Sequence, residues 1–339
     1  MTTPTERAIL QRRRAAKTGD VLVPILEQLL ENEVIPETPE HFRFMDMLVK
    51  ARALPRRKGV FSPSMLGSCM RQAWFAKRGE EKHLSADSQR NGYFLKGNFV
   101  HLQWQFAFWR AHEKGLLKLV TVPIDHELEI LDAMKHAGTI NVFERMQWAE
   151  ALDFYDNGTR PGVEVRVVDG DFGGTADVIA EIPVGETPRV IDIKGINLID
   201  FQRTVKSGTK PEYRRQVVGY ADNVNTVLGL GVEECIVLSE CKAGPLSGRG
   251  SPIALHETLV PVKDYHGEMA RRLRTLRYHD HTDEMPAIEC VSTRHMGYQE
   301  CAFGGRFCHD EVLAVQRARE ADARNKVDPS ELKPARPVR

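Results

Sequence analysis

The sequence contains no apolar run of the roughly 18–20 residues that a membrane-spanning helix needs. The polar, Arg-rich stretch 1–17 has no apolar h-region, so a secretory signal is not expected. Both absences predict a protein of the reducing cytoplasm, where disulfides are rare. An excess of one charge is missing too: Lys plus Arg and Asp plus Glu each number 47. A uniformly basic surface is thereby excluded, and any nucleic-acid contact must be a local stripe or channel. The candidate clusters are Arg12-Arg13-Arg14, Arg56-Arg57-Lys58, Arg214-Arg215, and Arg271-Arg272 with Arg274 and Arg277. Taken singly, each reads as a solvated helix face. There is no internal repeat. The run Gly92 to Asn98 lacks the Lys-Ser/Thr pair of a phosphate loop, and His112-Glu113 lacks the second histidine of a zinc protease. Asn157-Gly-Thr159 fits a glycosylation pattern without a secretory context.

What is present is ordinary for a globular protein: 339 residues, 42% hydrophobic and 28% charged. Short helices are expected over 21–31 and 40–52. Ser62 and Pro63 suit the N-cap and first position of another helix. A longer one is expected over 89–113, where Phe94, Phe99, Trp104, Phe106, Phe108 and Trp109 read as core rather than a base-stacking platform. Strands follow at 163–168, 172–182 and 189–194, then a helix at 211–228 and a strand at 234–240. A last strand at 253–260, a helix at 264–278 and a helix at 311–326 complete the pattern. The order predicts an α/β fold, a mixed β-sheet flanked by helices. The expected divisions are a helical accessory region (1–58), a catalytic domain (59–310) and a charged, partly disordered tail (311–339).

Side chains two apart on a strand share a face. In Val190-Ile-Asp-Ile-Lys194, Asp192 and Lys194 therefore point together while Ile191 and Ile193 point into the core. Alone, such a pair is more often a surface ion pair. The preceding strand carries Gly173-Gly174-Thr-Ala-Asp177, in which two glycines make room for a close-approaching ligand or backbone. Asp177 lies among apolar neighbours, and a buried carboxylate needs a partner or a metal. Two Asp from adjacent strands are hard oxygen ligands of the kind Mg²⁺ or Mn²⁺ prefers. Gln216 and Tyr220, four apart on a helix, share one face. His101 is an imidazole on an earlier helix, a position that is more often structural.

Gly97 with His101, Gly174 with Asp177, Asp192 with Lys194 and Gln216 with Tyr220, in that order, resemble the motifs of the RecB-like nucleases of the PD-(D/E)XK superfamily. The resemblance implies a restriction-endonuclease-like core and a metal-dependent DNA exonuclease, acting on DNA ends or single-stranded DNA in recombination, repair or phage DNA metabolism. It implies that His101, Asp177 and Asp192, with the carbonyl of Ile193, bind Mg²⁺ or Mn²⁺. It further implies that Lys194 orients the attacking water, and that Gln216 and Tyr220 position the DNA strand or the lysine. Glu164 is a candidate extra ligand or base, against the reading of a solvated strand-edge side chain. DNA is the implied partner, with recombination or repair proteins beside it.

Of six cysteines, Cys69 precedes this core and Cys290, Cys301 and Cys308 follow it. The arrangement is similar to that of the CRISPR-associated RecB-like exonucleases and the AddB-type nuclease. In those relatives four thiolates hold a 4Fe–4S cluster that clamps the domain ends. Four thiolates also suit zinc, although no Cys-x-x-Cys pair is present. The wide Cys290–Cys301 spacing departs from the family, which leaves Cys241 as an alternative second ligand. Cys235 and Cys241 otherwise read as buried thiols. The competing functional reading is a non-catalytic iron–sulfur or zinc DNA-end-binding module.

Overall fold

The computed structural model describes residues 20–30, 37–54, 59–80, 88–242, 254–289 and 307–325, without the side chains of 30, 88–96 and 322–325. These divide into two compact units. One comprises the described residues of 20–67 and 88–273, the other those of 68–80 and 274–325.

In the larger unit, α1 (Val23–Leu30) and α2 (Pro39–Ala53) are followed by α3 (Pro63–Gly67) and the long α5 (Ser88–Glu113). Next come β1 (Lys118–Leu119), β2 (Thr121–Pro123), α6 (Asp125–His136), α7 (Val142–Leu152) and β3 (Thr159–Pro161). The central elements are β4 (Val163–Asp169), β5 (Phe172–Glu181), β6 (Pro188–Ile196), α8 (Leu198–Ser207), α9 (Pro211–Leu228), β7 (Glu234–Cys241) and β8 (Leu255–Pro261). Helix α10 (Val262–Thr282) carries the chain onward. The smaller unit holds α4 (Met70–Arg78) and α11 (His309–Asn325).

Strands β5, β6, β7 and β8 are successive neighbours in a six-stranded mixed sheet, with β1 and β4 both on β5. Strands β6 and β7 run parallel, joined through α8 and α9, while the other pairs are antiparallel. Alternation sorts the side chains. Ile191, Ile193, Ile236 and Leu238 are fully buried in one cluster with Trp104 and Phe108 of α5. Helix α9 buries Val217, Val218, Ala221 and Val224, and packs on β4 through β7. The chain is thus a mixed α/β fold with helices flanking a mixed sheet, as its pattern predicts.

Several expectations change. Phe99 is 61% exposed, whereas Trp104, Phe106, Phe108 and Trp109 are buried as expected. Its position on α5 turns it away from the stripe that meets the sheet; the Phe94 side chain lies outside the described residues. The helix opened by Ser62 and Pro63 ends at Gly67, and α4 begins afresh at Met70. Arg214 donates to the Thr209 carbonyl at 3.1 Å, Arg215 to Glu268 and the Gly67 carbonyl, and Arg272 to the Leu66 carbonyl at 2.8 Å. These three arginines make contacts within the fold, whereas Arg271, Arg274 and Arg277 are exposed on α10, as a solvated face requires. The clusters at Arg12 and Arg56 and the tail from Val327 lie outside the described residues. Among the described residues, no helix is long and apolar enough to cross a membrane.

Candidate active site at a strand fork

The site begins where β5 and β6 stop pairing. Their register runs from Glu181↔Pro188 to Val178↔Ile191 and ends there. Continued by one residue, it sets Asp177 opposite Asp192. Past this rung β5 keeps its partner β4, down to Asp169↔Phe172, while β6 continues alongside β7. The open backbone at the fork is closed by a side chain: Ile193 N–H donates to Asp177 Oδ2 at 2.7 Å.

Lys194 lies two residues beyond Asp192 on the same face. Its Nζ is 2.9 Å from both carboxylate oxygens, but only Oδ1 meets it with hydrogen-bond alignment. Gln216 Nε2 donates to Asp192 Oδ1 at 3.2 Å and lies 3.2 Å from the Tyr220 hydroxyl. From α5, His101 Nδ1 approaches Asp177 Oδ1 to 3.2 Å, without the alignment of a hydrogen bond. The structure therefore brings His101, Asp177, Asp192, Ile193, Lys194, Gln216 and Tyr220 together. They adjoin one cavity of about 710 Å³, whose wall includes His101, Asp177, Asp192, Lys194, Gln216 and Tyr220. A larger concavity, about 1030 Å³ along Arg189, Glu234 and Lys263, holds none of them.

Glu164 belongs to this group, contrary to the solvated alternative. Between the Val163↔Val178 and Val165↔Ala176 pairs it stands across from Asp177, only 9% exposed. Its φ of +52° is a strained value for a non-glycine residue. Two partners hold the carboxylate: Arg52 Nη1 at 3.0 Å and Gln105 Nε2 at 2.5 Å. Gln105 also reaches the Asp177 carbonyl at 3.3 Å. Neither partner stands out by motif. The sequence signal for Gln105 is a lone amide inside the aromatic run Trp104 to Trp109, and the structure buries it fully.

Burial opposes ionisation throughout this site, and the neighbours decide each outcome. At Asp177, His101, Lys194 and the Ile193 amide outweigh burial and hold the carboxyl below its ordinary range. At Asp192, burial and the facing Asp177 win over Lys194, raising the carboxyl to about 6. Burial and Asp177 likewise raise Glu164. Lys194 is pushed up by Asp192 and Asp177 despite burial, so its ammonium is secure at neutral pH. His101 is raised by Asp177 in the same way.

As they stand, no three His, Cys, Asp or Glu side chains among the described residues form a group arranged to hold an ion. The reason is visible: each prospective ligand is turned to a protein partner, Asp177 to Ile193 and His101, Asp192 to Lys194. The donor set nevertheless suits a hard cation. Two buried atoms, Asp192 Oδ2 and His101 Nδ1, make no aligned hydrogen bond and hold only ion contacts, to Lys194 and Asp177, so both could turn to a bound cation. Gly173 makes room for the close-approaching backbone of β4, where a Cβ would lie 2.9 Å from the Val167 carbonyl oxygen and from Val168 Cα, as the sequence suggests; Gly174 differs. A Cβ on Gly174 would lie 2.7 Å from the Tyr220 ring and 2.9 Å from Pro63, so that glycine admits the protein's own side chains.

In the smaller unit, Cys69 stands at the N-cap of α4 and Cys308 is buried. Arg71, itself buried, places Nη1 3.8 Å from Cys308 Sγ and donates to the Pro286 carbonyl and Glu311. Cys290 and Cys301 lie outside the described residues. Cys241 packs with Ile196 and Phe201, and Cys235 is fully buried on β7, both as apolar strand thiols.

No family model and no curated protein matches the chain. Among solved structures, SSO0001 matches at 13% identity over 80% of this chain and 97% of its own, with a TM-score of 0.38. The alkaline exonuclease LHK-Exo of Laribacter hongkongensis matches at 16% identity over 67% and 93%, with a TM-score of 0.30. LHK-Exo in complex with dAMP matches at 16% identity over 69% and 94%, with a TM-score of 0.28.

Proposed function

We propose that this chain is a divalent-metal-dependent DNA exonuclease that hydrolyses phosphodiester bonds at DNA ends or in single strands. The observation that carries this reading is the fork itself: Asp177 and Asp192 converge from two strands with Lys194 beside them. Two mutually opposed buried carboxylates cost free energy that a purely structural site has no reason to bear.

In this reading Asp177, Asp192 and His101, with the Ile193 carbonyl, hold Mg²⁺ or Mn²⁺. The ion would supply a water of lowered pKa and offset phosphoryl charge. Lys194 keeps its proton and faces the charge that develops on the phosphate. Gln216 fixes Asp192 and bridges it to Tyr220. Glu164, with a raised pKa, is the further acid available beside Asp177. A second component of the proposal is a 4Fe–4S cluster, or zinc, on Cys69, Cys290, Cys301 and Cys308. Its support is that Cys69 and Cys308 belong to the same unit and that the Arg71 guanidinium lies beside the Cys308 sulfur, a contact that favours a thiolate.

The test is incubation of end-labelled single- and double-stranded DNA with Mn²⁺, comparing the native chain with Asp192→Ala. Loss of cleavage in the variant alone is expected. Equal cleavage by both removes this site, and cleavage by neither favours a DNA-end-binding module.

A further inference from the structure

Helix α9 presents a third side chain to the fork. Tyr213 precedes Gln216 by three residues, so the two lie on neighbouring turns of one face. Lys194 Nζ is 5.2 Å from the centroid of the Tyr213 ring, and Lys210 Nζ is 5.9 Å from the same centroid. Both ammoniums are within the range at which an aromatic face attracts a cation.

The ring is set in a stiff frame. It packs against the cluster of Ile196, Phe201 and Cys241. Lys210 is held by Asp200 at 3.0 Å, and Asp200 is fixed at the start of α8 by Asn197, whose side chain accepts the Asp200 amide at 2.9 Å. Lys194, by contrast, hydrogen-bonds to Asp192, a carboxylate already shared with Gln216, and the other carboxylate that attracts it, Asp177, is a prospective cation ligand as well. Any cation that draws Asp192 away weakens that hold. The ammonium then needs a second attraction that does not compete for the same oxygens. A quadrupolar ring face is such an attraction, because it offers no lone pair to a divalent ion.

We propose that Tyr213 is a positioning residue for Lys194: its ring face keeps the ammonium at the fork when Asp192 turns to another cation. The proposal rests on the nuclease reading for its catalytic consequence, but its geometric content stands apart from it.

Two measurements test it. The first follows kcat and KM on end-labelled DNA with Mn²⁺ for Tyr213→Leu, Tyr213→Phe and progressively fluorinated phenylalanines at the same position. Fluorination drains the ring face without changing its shape, so folding is preserved even where Tyr213→Leu fails to fold. The expected result is a stepwise fall in kcat along the fluorinated series, to about 3- to 30-fold below the native value, with KM nearly constant. Tyr213→Phe retains native kcat. A flat series, or a Tyr213→Phe as slow as Tyr213→Leu, overturns the proposal. The second uses ε-¹³C-lysine-labelled, metal-free protein, with the Lys194 resonance assigned from Lys194→Arg. An upfield ring-current shift is expected in the native chain and in Tyr213→Phe, and its loss in Tyr213→Leu or, equally, in Tyr213→Ile. An unshifted Lys194 signal in the native chain overturns the proposal whether or not DNA is cleaved. A chain with the shift but no cleavage refutes the nuclease reading and the catalytic role, while keeping the contact.

Discussion

Asp177 Oδ2 accepts the Ile193 amide at 2.7 Å, so a side chain bridges the two strands where their backbones part. The bond fixes one acid at the fork while leaving Asp192, across from it, poised by Lys194. The two carboxyls diverge accordingly, Asp177 held down and Asp192 raised to about 6.

That divergence has a consequence for stability. The folded-state pKa of Asp192 lies above its ordinary value near 4, so the metal-free fold favours its neutral form. The associated stability is fully present below that ordinary value and is lost as pH rises through about 6. Metal-free Asp192→Asn therefore melts above the native chain at pH 7.5, and the gap closes toward pH 4. Melting curves of both proteins in chelator across this range are the check; a variant that melts lower at pH 7.5 contradicts the assignment.

A second expectation concerns α1. Glu257 of β8 accepts the amides of Val21, Leu22 and Val23 at 2.6, 2.7 and 2.7 Å, capping a helix more than two hundred residues earlier in the chain. Glu257→Ala leaves three amides without that acceptor and costs about 2–4 kcal/mol. Urea denaturation and amide exchange at 21–23 report it. Cleavage of DNA by the remaining folded protein is expected to be unchanged, since Glu257 touches none of the fork residues.

The thiols divide by surroundings. Burial raises the Cys235 thiol, and Cys235 donates to the Val217 carbonyl at 3.7 Å. Cys235→Ala is expected to leave iron content untouched. Cys69→Ala and Cys308→Ala are expected to lose iron, the broad visible absorbance and thermal stability together. Colourless native protein with one zinc per chain removes the cluster, and one with neither metal removes ligation altogether.

Much of the fork was legible because strand and helix periods are short. Period two set Asp192 with Lys194 against Ile191 and Ile193, and an i, i+4 step set Gln216 with Tyr220. Long-range register is not written locally, so the sequence placed Asp177 near Asp192 only through the order of motifs. Strands β1 to β3 are two or three residues long, too short for alternation to register. Helices α6 and α7 are not legible in the sequence for a different reason. Val142, Phe143 and Met146 stay exposed at the start of α7, which blurs the apolar stripe that marks a helix. The burial of Glu164 is not legible locally, because the partners that hold its carboxylate, Arg52 and Gln105, lie 112 and 59 positions away.

The central claim is that His101, Asp177 and Asp192 share one divalent ion. Titration of Mn²⁺ into the metal-free chain, followed by calorimetry and by the loss of the free-ion paramagnetic signal, measures this without DNA. One strong site in the native chain, weakened at least tenfold in Asp177→Asn, Asp192→Asn and His101→Ala alike, is the expected result. Native affinity retained in all three variants, or no site in the native chain, contradicts it.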